Sequence, residues 1–181
     1  PALAPPNSEI LSTVFGCLSV ISSMIQHLPP STYRQDGNAH QEAEGGDVQR
    51  LVKYGPNQWP TWPEFPECLV AQILLRGNGL VEIVSGRDGH VQELRVLPWD
   101  WLTVQMLPNG RLVYDVFEQI GIYGQYGQRR RLLQGNVIHI RDRSDDGVIG
   151  KSRLQRCADT VRGAQTVHDI AAAAFRTGFY P

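Results

Sequence analysis

The octapeptide DDGVIGKS at residues 145–152 is the stretch of this sequence that comes nearest to a nucleotide-binding motif. A strand is predicted before it, and its Gly-Lys-Ser end opens a predicted helix, as in a phosphate-binding P-loop. The first glycine of the motif is replaced by Asp145, and Asp146 follows it. Two carboxylates would then lie where phosphate oxygens must bind. A truncated P-loop nucleotide-binding protein is therefore the least favoured hypothesis.

Histidine, cysteine and acidic residues show no spacing typical of a metal site or a catalytic pair. His139 alternates with Ile138 and Ile140, so we expect it on the polar face of a strand. An acidic surface loop explains residues 142–146 better than a cation site. The cysteines are three and far apart, which argues against disulfides, and we expect each to be a small core residue: Cys17, Cys68 and Cys157. We predict no catalytic residue, cofactor or metal, and therefore no enzyme.

Composition is that of a globular domain. The chain has 181 residues, 41% of them hydrophobic, which is enough for a core in about one domain. A net charge of −1 disfavours binding to nucleic acid through a basic surface. No apolar run reaches the ~18 residues that span a bilayer. The chain lacks an initial Met and ends in Phe-Tyr-Pro, so we expect both ends to be cut from something longer.

Helical periodicity predicts elements at residues 9–27 and 61–76. The first has a broad apolar stripe and ends at two prolines, with Asn7 or Ser8 as its cap. Thr61 can cap the second, and Gly77 with Asn78 ends it. Its apolar residues recur on one face: Phe65, Leu69, Ile73 and Leu74.

A period of two follows and predicts an antiparallel meander. We expect strands at residues 80–84, 91–97, 102–107, 111–117 and 136–141, with a hairpin turn at Asn109-Gly110. Residues 31–34 are expected to be extended, and residues 36–46 and 119–128 to be loops. The basic run 129–131 could touch nucleic acid, but a charged, solvated strand edge explains it better. Likewise, the interleaved Trp and Pro residues fit packing better than base stacking.

A long helix is predicted over residues 151–176. Small residues on it would permit close approach to a neighbouring helix: Ala158, Ala164, Ala171 and Ala174. The fold class we predict is α+β, with helices packed on the antiparallel meander and a long C-terminal helix.

In order and spacing, these elements resemble the portal proteins of long-tailed bacteriophages. A helix ends near Leu28-Pro29, and a Pro-Asn pair precedes a Thr, a Phe and a Gly-Asn pair. A strand ends in His-Ile-Arg, and an acidic loop, Gly-x-Ser and Phe-x-x-Gly-x-x-Pro follow. Arg153 departs from the usual Pro, and Thr177 from the usual Asn. The motif positions are Pro56, Asn57, Gly77, Asn78, His139, Gly150, Ser152, Phe175 and Gly178.

The resemblance implies most of the wing of a portal subunit at residues 1–148, and the first stem helix and the start of the clip region at 149–181. It implies a structural protein without catalytic residues. Arg156 and Arg162 would lie near the DNA channel. The implied partners are copies in a dodecameric ring, terminase, the major capsid protein, head-tail adaptors and double-stranded DNA passing without sequence specificity, with no membrane. The implied location is the virion, after assembly in the host bacterial cytoplasm.

A generic capsid or adaptor binding module is the alternative. It would share the α+β character but would not require the long C-terminal helix.

Overall fold

The fold is α+β, as predicted: two antiparallel three-stranded sheets with helices packed beside them. The computed structural model describes residues 12–178 except 38, 44, 120–126 and 128. Its helices are α1 (Ser12–Gln26), α2 (Asp47–Tyr54), α3 (Glu64–Arg76), α4 (Arg153–Arg156) and α5 (Ala158–Thr177). Its strands are β1 (Tyr33–Asp36), β2 (Ala39–Glu42), β3 (Asn78–Ser85), β4 (Val91–Leu97), β5 (Leu102–Met106), β6 (Leu112–Phe117), β7 (Arg129–Leu133) and β8 (Val137–Arg141).

Helix α3 forms near the predicted position but begins at Glu64, three residues after Thr61; its cap position is Pro63, without a side-chain cap, so the prediction that Thr61 caps it is wrong. The Glu64 carboxylate accepts hydrogen bonds from the backbone N–H and the hydroxyl of Thr61, at 2.7 and 2.9 Å. Gly77 ends the helix with φ of 77°, a left-handed conformation that glycine adopts without steric cost. Phe65, Leu69 and Leu74 are buried, so the apolar face of the helix packs on the body as expected.

The strand order corrects the prediction of one meander. Strands β5, β6 and β7 do form a meander, in the order of the chain. The other sheet has the order β4-β3-β8, so β8 returns across the second sheet to pair beside β3. Periodicity identified five of the eight described strands, but it carries no information about which distant strand becomes the neighbour.

The core joins the two sheets. One buried cluster contains residues from both, among them Leu80, Leu97, Tyr114 and Val116. An ion pair also crosses between the sheets: the guanidinium of Arg130 on β7 binds both carboxylate oxygens of Glu82 on β3. Both side chains are largely buried, with 19% and 7% exposure. Arg130 therefore joins the two sheets inside the protein. The prediction of a charged, solvated strand edge holds only for its neighbours on β7.

Two elements differ from the sequence prediction near the N-terminal half. Strand β1 agrees with the extended segment predicted at residues 31–34, but it pairs with β2, which lies where residues 36–46 were expected to be a loop. Helix α2 was not predicted. Its carboxylate Asp47 accepts a hydrogen bond from the Val91 backbone N–H at 2.9 Å, which ties the helix to β4. The predicted cap of α1 and most of the predicted loop 119–128 lie outside the described residues.

The cysteines also differ from expectation. Cys17, Cys68 and Cys157 are all exposed, so the prediction that they fill the core is wrong. Cys17 and Cys157 border one open apolar groove between α1 and the start of α5. They lie on helix faces that the single chain leaves uncovered, and sequence hydrophobicity alone cannot distinguish such a face from a core.

Candidate functional site at the base of the C-terminal helices

Asn78, at the start of β3, holds the chain where it leaves the sheet for the C-terminal helices. Its Nδ2 donates to the carbonyl of Gly150 at 2.8 Å, and its Oδ1 accepts from the Gly150 N–H at 2.7 Å. Nδ2 also donates to the Arg76 carbonyl at 3.1 Å. The side chain thus imitates a strand partner for Gly150 and is fully buried. A buried amide needs such complete pairing, since each unpaired polar atom is costly.

His139 of β8 completes this network from behind. Its Nε2 lies 3.1 Å from Asn78 Oδ1, and its Nδ1 lies 3.1 Å from the Tyr114 hydroxyl. Because Oδ1 can only accept, Nε2 carries the proton and Nδ1 accepts from Tyr114. The ring also stacks on Trp99, with centroids 5.4 Å apart. Burial, and then the nearby charge of Arg141, lower the pKa of His139 to about 4, so the ring is neutral.

The prediction that His139 lies on the polar face of its strand is therefore wrong. Its side chain points inward, and the flanking Ile138 and Ile140 are the exposed residues, at 43% and 40%. The sequence correctly predicted that residues 138–140 alternate between the two faces of the strand, but it assigned the inward-facing and outward-facing positions the wrong way round. The network of Asn78, Tyr114 and Trp99 makes the inner position polar enough for an imidazole.

Two glycines let the chain segments cross at this point. A Cβ on Gly150 would collide with the carbonyl oxygen of Gly77, and one on Gly77 would lie 2.5 Å from the backbone of Lys151 and Ser152. The Gly77 carbonyl accepts a hydrogen bond from the Asp142 N–H at 2.9 Å. Backbone therefore packs directly on backbone, which explains why both positions require glycine.

The acidic loop between β8 and α4 is closed on itself. Asp146 Oδ1 accepts from the N–H groups of Val148 and Ile149 at 2.8 Å, and these bonds lower the pKa of its carboxyl to about 2. Asp145 pairs with the Lys151 ammonium at 2.5 Å. The Gly150 N–H is also bound, to Asn78 Oδ1. The polar groups of the loop therefore make their hydrogen bonds within the protein. The geometry thus disfavours phosphate binding, in line with the sequence argument.

Helix α4 is fastened to the body by side chains. The Ser152 hydroxyl donates to the Leu75 carbonyl at 2.6 Å and accepts from the Leu154 N–H at 3.1 Å, which caps the helix. Arg153 pairs with Asp142 at 2.8 Å, a contact that holds the pKa of this carboxyl below its usual value. Arg156 donates to the carbonyls of Arg143 and Lys151 at 2.9 and 3.0 Å.

The predicted long helix is thus divided at Cys157, where the backbone departs from helical geometry. Helix α5 begins there and contacts α4, and Val161 is its buried residue. The four alanines predicted to pack lie on α5: Ala164 and Ala171 are exposed, and Ala158 and Ala174 are half-buried. Arg162 pairs with Asp159 at 2.5 Å.

Among the remaining motif residues, Pro56 and Asn57 hold the entry to α3 against β4. The Pro56 carbonyl accepts from the Leu94 N–H, and Asn57 Nδ2 donates to the Leu94 carbonyl, both at 2.8 Å. Phe175 is 87% exposed near the end of α5, and Gly178 follows the helix with φ of 68°. These two residues are far in sequence from the network of Asn78 and have no part in it.

Sequence reasoning identified Asn78, Gly150, His139 and Ser152 as motif positions but not that they meet. Asn78 and Gly150 are separated by 72 residues. Tyr114 and Asp142 were missed as partners. The sequence offered one signal: Asn78 directly follows the glycine that ends α3. A residue at that position begins the next strand, so its side chain can hydrogen-bond to another segment of the chain.

Within the described residues, no helix is long and apolar enough to cross a membrane. The same part of the chain has no cluster of three His, Cys, Asp or Glu side chains that could hold a metal ion.

Comparison with known proteins gives consistent results. The model of the phage portal protein family matches residues 12–181. The portal protein of Enterobacteria phage HK97 is 24% identical over 170 residues, which are 93% of this chain and 38% of that protein. A solved neck structure of an empty gene transfer agent (GTA) particle, computed with C6 symmetry, has a TM-score of 0.77 at 25% identity, over 94% of this chain and 44% of that one. The neck of the native particle, computed with C12 symmetry, has a TM-score of 0.70 at 23% identity, over 92% and 42%.

Proposed function

The chain belongs to the phage portal protein family, and from this premise we propose that it is the wing and first stem helix of a structural portal subunit. The chain spans less than half the length of the relatives described above, so the activity of a whole portal is an inference for it. The observation that carries the proposal is the extent of the family match, which includes both the sheet body and helix α5.

In the proposed assembly, twelve copies form a ring at one capsid vertex. Residues 1–148 are the wing and residues 149–181 the stem and the start of the clip region. Double-stranded DNA, driven by terminase, passes through the ring without sequence-specific contact. A net charge of −1 suits passage, because strong phosphate binding would impede sliding.

The other proposed partners are the major capsid protein and head-tail adaptor proteins. The proposed location is the virion, after assembly in the host bacterial cytoplasm. The role is mechanical: the network of Asn78 and Gly150 fixes the direction in which the stem leaves the wing. We infer no catalytic activity, since portal proteins are structural and the acidic loop is closed by its own contacts.

Negative-stain microscopy of the full-length protein tests the proposal directly. We expect rings with a central hole, and class averages give their symmetry. An adaptor or capsid-binding module would join a ring made by another protein, so a purified full-length protein that stays monomeric at all concentrations would contradict the proposal.

A further inference from the structure

The sequence contains two Asn-Gly pairs, Asn78-Gly79 and Asn109-Gly110. An asparagine followed by glycine is prone to deamidation, because glycine has no Cβ to hinder the attack of its own backbone nitrogen on the asparagine side chain. The two pairs lie in opposite environments in the fold, so their chemical fates should differ.

Deamidation needs water and no other reactant. The glycine nitrogen bonds to Cγ of the asparagine and gives up its proton. The bond between Cγ and Nδ2 breaks, and Nδ2 takes up a proton and leaves as ammonia, so that a cyclic succinimide remains. Water then opens the ring at either carbonyl, which leaves aspartate or isoaspartate in place of the asparagine.

Asn109 and Gly110 lie at the tip of the hairpin between β5 and β6. Residues 108–111 are all exposed, and no atom lies within 4 Å of the Cβ position of Gly110, whose φ is 78°. The Gly110 N–H donates to the Leu107 carbonyl at 2.8 Å. A hydrogen bond at an exposed loop tip opens at little cost in free energy, which frees the Gly110 nitrogen for reaction.

The Asn109 side chain is held beside that nitrogen. Its Oδ1 accepts a hydrogen bond from the Arg111 N–H at 3.1 Å, which closes an Asx turn around Gly110. This donor also points at the oxygen on which negative charge develops when the Gly110 nitrogen adds to Cγ, and it stabilises that charge. The exposed Asn109 can release ammonia directly into water.

Asn78 has the same neighbour in sequence but none of this freedom. It is 1% exposed, and its Nδ2 donates to the carbonyls of Arg76 and Gly150. Loss of Nδ2 would break both hydrogen bonds and place a carboxylate oxygen against two carbonyl oxygens, which is costly in a buried site. The Gly79 backbone is also held, since this residue is paired within the sheet of β3 and β8.

We propose that Asn109 is a site of spontaneous deamidation, and that the network around Asn78 protects the second Asn-Gly pair from the same reaction. The product carries a new carboxylate at the hairpin tip. Isoaspartate also adds a methylene to the main chain of the turn, which is closed by the hydrogen bonds of Leu107 with Gly110 and Arg111. This reactivity is independent of the ring proposed above.

Peptide mass spectrometry of the full-length protein tests the proposal, because trypsin places the two asparagines in separate peptides. Cleavage after Arg95 and Arg111 releases residues 96–111, and cleavage after Arg76 and Arg87 releases residues 77–87. The native protein is incubated in mildly alkaline buffer, which favours loss of the glycine N–H proton, and is sampled over time. A zero-time digest corrects for conversion during digestion. A parallel incubation in guanidinium chloride gives the rates of the unfolded chain.

In the native protein we expect Asn109 to convert at least about tenfold faster than Asn78, because each buried hydrogen bond that must break raises the barrier. In guanidinium chloride the two rates should be similar, since the fold no longer distinguishes the pairs. Asn109→Ser is the control and should abolish the conversion of peptide 96–111. Equal native rates at the two asparagines, or no more conversion of peptide 96–111 in the parent protein than in Asn109→Ser, would overturn the proposal.

Discussion

At the scale of single residues, the polar network at the base of the C-terminal helices matters most. Asn78 pairs with both backbone groups of Gly150, and His139 supports it from the adjacent strand. Their common effect is to fix one backbone crossing, at Gly77 and Gly150, from which the C-terminal helices start.

Gly150→Ala should strongly destabilise the protein. The new Cβ would overlap the carbonyl of Gly77, which is backbone and has little room to move. We expect the free energy of unfolding in urea to fall by about 3 kcal/mol or more. Gly163→Ala is the control, because no atom lies near its Cβ position and alanine favours a helix by ~0.5 to 1 kcal/mol. Equal stabilities of the two variants would contradict the close crossing.

His139 should make stability depend on pH between 7 and 5. Its folded pKa is about 4, below the ordinary value of 6.5, so the unfolded chain binds more protons in this range. Stability is therefore present at neutral pH and is lost as the pH falls from 6.5 towards 4, by about 1 to 2 kcal/mol at pH 5. Urea unfolding at both pH values measures this loss.

His139→Gln is the matched variant, since glutamine is polar but does not titrate. Its stability should change less between pH 7 and pH 5 than that of the parent protein. An identical pH dependence in the two proteins would show that another group is responsible.

At the scale of elements, the sheets and the C-terminal helices are joined by a few specific contacts. Arg130 and Glu82 connect the two sheets, while Ser152, Arg153 and Arg156 fasten α4 to the body. Helix α5 lacks comparable anchors among its described contacts. The body therefore sets where α5 begins.

Arg130→Met should be more harmful than the loss of an ordinary surface ion pair. It leaves the buried carboxylate of Glu82 without its partner, which costs about 3 to 5 kcal/mol. The double variant Arg130→Met with Glu82→Leu removes both charges and should recover much of that loss. Arg131→Met is the control, because the Arg131 side chain is 54% exposed, against 19% for Arg130, and a solvent-screened pair should contribute about 1 kcal/mol or less. Urea unfolding of the parent protein and the three variants compares these losses of stability.

Ala164→Leu and Ala171→Leu should impair the assembled ring. In the proposed ring, each adds bulk where we expect α5 to pack closely on a neighbouring helix, and should cost about 1 to 3 kcal/mol at every subunit interface. Ala173→Leu is the matched control, because residue 173 lies on the charged side of α5, which carries Arg162, Asp169 and Arg176 and is opposite Ala164 and Ala171. Ring formation and packaged DNA are measured separately in the full-length protein. If Ala164→Leu and Ala171→Leu leave both unaffected, α5 is not a packed stem helix.

We expect different effects from replacing Arg156 and Arg162, the two arginines predicted to lie near the channel. Arg156 donates to two backbone carbonyls, so its loss should loosen α4. Arg162 is on the charged side of α5 and half-exposed, and it can alter the salt dependence of DNA passage if it faces the channel.

At the scale of the whole molecule, the chain has the character of a scaffold. Many of its described polar side chains hold loops and helix ends, and both terminal helices carry exposed apolar residues, for example Met24 on α1 and Ile170 on α5. Membership in the portal family, together with this distribution, makes assembly the function to test.

The protein should not hydrolyse ATP. The Gly150 N–H is bound to Asn78, and Lys151 pairs with Asp145, whose carboxylate would repel a phosphate. We expect purified protein to release phosphate from ATP no faster than buffer. Turnover that disappears in Lys151→Ala, but persists in the matched surface variant Lys53→Ala, would revive the nucleotide-binding hypothesis.

The sequence by itself determined the local features of this protein. Periodicity located α1, α3 and five of the strands, because the alternation of buried and exposed side chains is a property of neighbouring residues. Gly77 predicted the end of α3, because glycine readily adopts the left-handed backbone conformation that the end of a helix commonly needs. Order and spacing of weak motifs identified the family, which the family match confirms.

The tertiary structure decided what joins distant residues. Alternation at residues 138–140 does not reveal which side faces inward, and only the partners Asn78 and Tyr114 place His139 inside. Nothing near β8 in sequence specifies that it pairs with β3. The segment before the division of the last helix at Cys157 is anchored on Leu75 and Asp142, which are remote in sequence. Cys17 and Cys157 are exposed because they lie where the packing of the single chain ends.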